Sequence, residues 1–442
     1  MSASNCGPTA TALRLGRLYL LFAIIYFLQG LGSPTDGLLA QPFRSLLKGA
    51  GYDTAGIAAM SALAAVPWML KPIFGLISDS WPWLGYHRRS YLTAATLGAS
   101  AAYGTLYWST IDGVSASMLV GMLVVATAGV AFADVVVDAL MVERGQATNG
   151  TGRLQSVQWA AMYFAAAGAG VAGGWLSEHG LESYGFLACA ILMGSVAALA
   201  LFAISERRAT RTTSRQERNL LAFLRDREAP PLLAVTTFLC LWSFNPFCNT
   251  VLYVHMTTTL GFSEQFYGLT LTLMSLGGVV GSVAYWFYCR KFEILQLTRV
   301  SIWLGIAATL AYALLGGPAS ASVISIFVGA TYITAVLIQL DLVARLCPPR
   351  WAGTVFATLM ALSNASVSLA EVVGGAIYEG MSSKWGTTSA FHTLVIIGAT
   401  VNVPCFLLMP SLARAAHRTQ GAGGISPARR SANRAKSGPP SS

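Results

Sequence analysis

Apolar runs of about 20 residues recur from one end of this chain to the other, and nothing else in the sequence limits its fold so severely. In hydrocarbon every backbone polar group must find its partner within its own segment, so runs of this length read as spanning helices. Bounded by Gly, Pro or charge, they fall at 18–40, 54–78, 91–110, 115–141, 154–176, 184–204, 231–256, 265–289, 299–316, 321–343, 353–378 and 389–410. Composition agrees: 55% of the residues are hydrophobic and only 10% charged, against about 25% in soluble domains. The expected fold class is all-α, a polytopic membrane protein with 12 transmembrane helices and both termini on one side.

Positive charge sets the orientation of such a bundle. With the N-terminus in the cytoplasm, all of the 28 Lys and Arg except Arg44, Lys48, Lys384 and Lys71 fall on cytoplasmic segments; the opposite orientation reverses that split. The net charge of +10 is therefore a topology signal and not a nucleic-acid footprint. The first run follows Arg14 and Arg17, is too long for the apolar part of a signal peptide, and has no small-residue cleavage site, so it is expected to remain as an anchor. The expected organisation is a cytoplasmic N-terminal segment (1–17), an N-terminal six-helix bundle (18–204), a charged cytoplasmic linker (205–230), a C-terminal six-helix bundle (231–410) and a disordered basic cytoplasmic tail (411–442). A cell (inner) membrane and a monomer are the expected setting.

Several function classes are disfavoured. Seven cysteines are scattered singly without a CxxC pair, which indicates neither a disulfide framework nor a metal site. The five histidines are widely separated, and no HExxH, GxSxG or Gly-rich phosphate loop occurs, so no cofactor, ATP hydrolysis or enzyme activity is expected. A membrane transferase would want polar catalytic residues gathered at one membrane face. A sensor built on a transporter fold would want a large soluble domain. Neither feature is present in the sequence.

The stretch LKPIFGLISDSWPWLGYHRR, Leu70 to Arg89, joins the second and third runs through a short polar loop. Gly75 permits close helix approach, while Asp79, Arg88 and Arg89 are placed for charge-assisted bonds across one face of a bundle. With Gly85, these residues resemble the loop between the second and third helices of major facilitator transporters, where the resemblance implies a conformational latch. The bland alternative is that Arg88 and Arg89 only set topology. Here SWPWLGY is inserted between Asp79 and the arginine pair, and PWMLKP precedes it. With ADVVVDALMVER, GRLQSVQW and IQLDLVARLCPP further on, the chain resembles the folate-biopterin transporter family of the major facilitator superfamily. That resemblance implies two six-helix bundles and a folate or pterin as the small-molecule substrate, moved with protons across the lipid bilayer. Muropeptide permeases share a related PW-x-x-KP loop and supply the alternative cargo.

Charges inside the spans are costly and mark candidate sites for cargo or protons. Asp134 and Asp138 are four apart on one helix face, close enough to disfavour joint ionisation and leave one apt to hold a transferable proton. The alternative for Asp138 is a pairing with Arg144 or Arg153. Lys71 either snorkels to the headgroups, pairs with Asp134 or Asp138, or takes an anionic group of the cargo. Pro67 and Pro72 bracket it and predict an irregular helix there. Asp36, after QGLGSPT, is expected at the mouth of a broken first helix or as an interfacial residue. Glu371 is expected buried in the eleventh run, facing SNASVS, as a proton site, and Asp341 is expected to pair with Arg345. A pterin presents a hydrogen-bonding ring edge and a flat face, so Trp68, Trp159, Phe244, Asn245 and Tyr253 are possible cargo contacts, with packing as the alternative.

Overall fold

A computed structural model describes residues 8–34, 37–52, 60–61, 63–111, 113, 115–206, 208, 229–348 and 351–423. The first half comprises α1 (Pro8–Leu31), α2 (Ala40–Gly49), α3 (Lys71–Ser80), α4 (Arg89–Ile111), α5 (Ala116–Thr148), α6 (Thr151–Glu178) and α7 (Glu182–Phe202). The second comprises α8 (Ala229–Ser243), α9 (Asn249–Val254), α10 (Glu264–Tyr288), α11 (Ile294–Ala311), α12 (Pro318–Leu346), α13 (Ala352–Trp385), α14 (Thr387–Val401) and α15 (Met409–Gly423). The one β feature among the described residues is an isolated bridge between Trp83 and Tyr86. Among the described residues seven helical stretches are long and apolar enough to cross a membrane, two of them running through a 3-10 turn (Ile294–Leu314 and Thr387–Ala416).

Helices α4 and α6 are continuous but less apolar, whereas elsewhere proline interrupts the spans. A 3-10 turn, Val66–Leu70, contains Pro67 and runs straight into α3, whose second residue is Pro72. Pro246 separates α8 from α9, and Asn245 Oδ1 accepts from the Phe247 N–H at 3.0 Å to hold that break. Pro404 lies in the 3-10 segment Val403–Leu408 between α14 and α15. The first run ends as helix at Leu31, where the Leu31 carbonyl accepts from the Leu38 N–H at 2.9 Å and the chain turns into α2. Asp36 lies outside the described residues, as does most of the 205–230 linker.

The C-terminal segment differs from its composition. Helix α15 continues to Gly423 because Leu412, Ala415 and Ala416, spaced i, i+3, i+4, are buried against the second half. Averaged over 411–442, that short apolar face is hidden by the Gly, Ser, Pro and Arg that follow it. Residues 424–442 lie outside the described residues.

One hydrophobic core is built wholly from residues 22–204. The others draw on the second half, and Ala139 and Val142 of α5 are built into one of them. Helix α5 thus takes part in the cores of both halves, and the candidate charges Asp134 and Asp138 sit on it.

Candidate functional site

Asp134 and Asp138 lie one turn apart on α5, on a face met by α1, α3 and α6. The Lys71 ammonium donates to Asp134 Oδ2 at 2.8 Å and lies 4.5 Å from the centre of the Trp68 ring. The irregular turn before α3 brings Trp68 and Lys71 to the same side, so the Lys71 stem reaches a carboxylate and not the headgroups. Asp138 Oδ1 accepts from the Tyr26 hydroxyl at 2.7 Å and from Gln158 Nε2 at 3.0 Å. Neither arginine weighed for Asp138 is its partner: Arg144 donates to the Ser205 carbonyl at 2.6 Å, and Arg153 lies over the Trp286 ring at 5.0 Å.

On the elements that meet these carboxylates the structure leaves buried polar atoms without partners: both amide atoms of Gln29 and of Gln155, the Gln158 carbonyl oxygen, Arg153 Nε, and the indole N–H groups of Trp68 and Trp159. Gln29 is one turn beyond Tyr26 on α1, and Gln155 one turn before Gln158 on α6, so each shares a face with a residue that touches Asp138. The sequence reading missed Tyr26, Gln29, Gln155 and Gln158. The two glutamines in the run 154–176 were a legible signal, since amides are costly in an apolar span.

Other candidates are placed differently. Asn245 is occupied with fold: its Nδ2 donates to Thr309 Oγ1 at 3.0 Å while its Oδ1 braces the break before α9. Trp159 packs 5.7 Å from Tyr163 at the seam with α10 and α12. Glu371 is exposed on α13, not buried, and makes no hydrogen bond or ion pair among the described residues. The serines expected to face it bond to α8 instead, Ser363 to Ser243 at 2.6 Å and Ser366 to the Cys240 carbonyl at 2.6 Å. An apolar groove of about 430 Å³ between α10, α11 and α12 includes none of these charged groups in its lining.

The Leu70–Arg89 stretch forms a closed contact between the halves. Asp79 Oδ2 accepts from the Thr354 N–H at 2.6 Å and the Thr354 hydroxyl at 2.7 Å, in the first turn of α13, where the helix dipole favours an anion. Asp79 Oδ1 accepts from Arg88 at 2.6 Å, and Arg88 also donates to Glu143 at 2.6 Å and to Ser78 Oγ at 2.9 Å. Burial works against the Arg88 charge, but Glu143 and Asp79 outweigh it and raise its pKa. A Cβ at Gly75 would stand 2.5 Å from the Gly353 carbonyl oxygen, so glycine is what lets α3 and α13 touch backbone to backbone. Leu84 and Gly85 both have positive φ (53° and 85°) and turn the loop back toward Arg88. The Glu206 carboxylate accepts from the N–H groups of His87 (2.8 Å), Arg88 (3.1 Å) and Arg89 (2.8 Å), capping α4. Arg89 itself donates to the Leu201 carbonyl at 2.5 Å.

A second buried carboxylate makes the reciprocal contact. Asp341 of α12 accepts from Thr151 Oγ1, on the first residue of α6, from the Tyr285 hydroxyl at 2.9 Å, and from Arg345 at 2.7 and 2.9 Å. Its pairing with Arg345 is as expected from sequence; its bond to the other half is not. Beside it, Gln146 Nε2 donates to the carbonyls of Ala344 and Cys347, each at 2.7 Å. Each half thus lends a carboxylate to the N-terminus of a helix in the other.

Compared with known proteins, residues 36–423 match the BT1 family. The chain is 30% identical over 406 residues to the folate-biopterin transporter of Synechocystis sp., covering 88% of this chain and 79% of that protein. Among solved structures, it resembles the human organic anion transporter MFSD10 (16% identity, TM-score 0.60, 89% of this chain and 99% of that one). It also resembles a major facilitator superfamily transporter in the outward conformation (11% identity, TM-score 0.65, 88% and 98%). The multi-pass helical architecture has the fold of major facilitator superfamily transporters, and by the family match the chain belongs to the BT1 family, the folate-biopterin transporters.

Proposed function

We propose that the chain is a secondary transporter that carries a folate or pterin by alternating access, with protons as co-substrate. The observation that carries this reading is the cluster of Lys71, Asp134 and Asp138 in the interior of an apolar bundle, bordered by buried polar atoms that lack partners. Structure alone gives such charges little reason to be there, since a buried ion pair adds little net stability. The cargo class comes from the named relative. Asp134 and Asp138 are the proposed proton carriers, Lys71 the group released or engaged when they change state, and Asp79 with Arg88 the latch on one of two arrangements of the halves.

In this reading the latched end faces the cytoplasm, because Glu206, which opens the arginine-rich linker, is bonded there and positive charge favours the cytoplasmic side. The structure then corresponds to an outward-facing state in a cell membrane, with both termini inside and one chain as the working unit. Purified protein in liposomes should take up labelled biopterin or folate faster when an inward proton gradient is imposed. Absence of uptake of any pteridine removes the cargo assignment, and gradient-independent uptake removes the proton coupling.

A further inference from the structure

We propose that the groove between α10, α11 and α12 is a binding site for an anionic phospholipid, with one acyl chain in the groove and the headgroup on the basic loop at its end. Helices α10 and α11 are joined by the short loop Cys289–Glu293, and both pack on α12. Gly281 and Gly329 let α10 and α12 touch backbone to backbone, since a Cβ at either would collide with a carbonyl oxygen of the facing helix. The space left between α10 and α11 is the groove, about 430 Å³ in volume. Val280, Phe292 and Val300 line it and are exposed. The face of α10 that meets the first half is a different one, with Gly278 against Tyr163 and Trp286 against Tyr19 and Arg153. The groove therefore opens to the bilayer and not to the seam between the halves.

The walls of the groove suit a hydrocarbon chain. Thr331 and Thr334 line it, but their hydroxyls donate to the carbonyls of Phe327 and Gly281, at 2.7 and 3.5 Å, and so offer a ligand little but carbon. From Tyr288 to Val280 it runs about 12 Å along α10, close to the roughly 15 Å of hydrocarbon in one leaflet. Its end at Tyr288, Phe292 and Gln296 is the latched one, where the Cys289 carbonyl accepts from Arg345 at 3.4 Å. In the orientation proposed above, on which this inference rests, that end lies at the cytoplasmic headgroups. Arg290, Lys291 and Arg299 are exposed there and make no ion pair among the described residues. Glu293 is the one carboxylate of the loop, and its side chain does not cap α11, whose first N–H groups also favour an anion. A lipid tail is as apolar outside the groove as in it, so the groove fixes position and the headgroup decides affinity. Each basic side chain near the surface favours an acidic lipid roughly fivefold, and three against one carboxylate give a preference of about tenfold or more.

The test titrates delipidated full-length protein, in a neutral detergent, with phosphatidylglycerol or with phosphatidylethanolamine carrying the same chains, and counts bound lipid by native mass spectrometry. Phosphatidylglycerol is expected to bind about tenfold more tightly or better. Arg290→Gln, Lys291→Gln and Arg299→Gln together should bring the two lipids to within about twofold of each other. Ala284→Phe fills the groove and leaves every charge in place; it should weaken phosphatidylglycerol binding about tenfold while the melting temperature without lipid holds. Val300→Trp, at the exposed rim, fills the same space and serves where the first variant does not fold. Equal binding of the two lipids overturns the inference. So does undiminished phosphatidylglycerol binding in a folded groove-filled variant, because the loop then attracts acidic lipid without the groove. A dimer mass that the filled groove abolishes also overturns it, since a second copy and not a lipid then occupies the site. No transport is measured, so failure here leaves the transport reading standing, and absence of pteridine uptake leaves this site standing.

Discussion

Replacing Asp79 by Asn tests the latch at its most loaded atom. The Asp79 side chain is fully buried, and two of its hydrogen bonds, from the Thr354 N–H and hydroxyl at 2.6 and 2.7 Å, run between the halves. Hydrogen bonds to a charged acceptor contribute about 1.5–3 kcal/mol each and neutral ones about 0.5–1.5 kcal/mol. Asn keeps an oxygen but loses the charge, so the closed arrangement should lose about 2–3 kcal/mol over the two bonds, roughly a 30- to 150-fold shift toward opening. Cys347 is a native reporter: it is buried at this end, and its carbonyl is held by Gln146 of the other half. Alkylation of Cys347 by a water-soluble maleimide, followed by peptide mass spectrometry, should accelerate in Asp79→Asn by that factor when closing outpaces alkylation. Turnover should fall more than cargo affinity. An unchanged Cys347 rate in a folded mutant would refute the assignment of Asp79 to holding the halves together.

Thr151→Val removes the hydroxyl that joins α6 to Asp341 and should raise the alkylation rate of Cys289, which abuts Gly152, about tenfold, the equivalent of about 1.5 kcal/mol, read by the same mass spectrometry. Lys71→Met alone strands Asp134 and should cost about 3–5 kcal/mol, seen as a large fall in melting temperature. Lys71→Met with Asp134→Leu should recover most of that stability while abolishing uptake, and recovery of uptake in the double variant would reduce the pair to a structural element.

The membrane makes the architecture legible, because hydrocarbon forbids unsatisfied backbone and leaves apolar length as a nearly complete description of a span. Where the reading from sequence went astray, side chains had overridden that rule. The break in the seventh span depends on Asn245 Oδ1 capping the chain after Pro246, and the extension of α15 on three small apolar contacts. For the site, helical spacing correctly puts Asp134 and Asp138 on one face, yet spacing carries no information about which helix lies opposite. The partners Tyr26 and Gln158 therefore emerge only from packing. So does the reach of Asp341 to Thr151, 190 residues away in sequence. Glu371 misleads for a related reason: depth within an apolar run measures distance from the ends of a helix, not burial against its neighbours.

The Glu206 cap on α4 changes what the connector between the halves amounts to. Its first acidic residue is buckled to the turn that carries Arg88, and Arg208 lies over the Tyr86 ring of the same turn, so the connector is anchored to the first half where it begins. Tension arriving along the connector would be borne at Glu206 and delivered to the loop that closes the gate. The first half therefore keeps its own clasp, independent of the bonds from Asp79 and Thr151 that hold the second half against it.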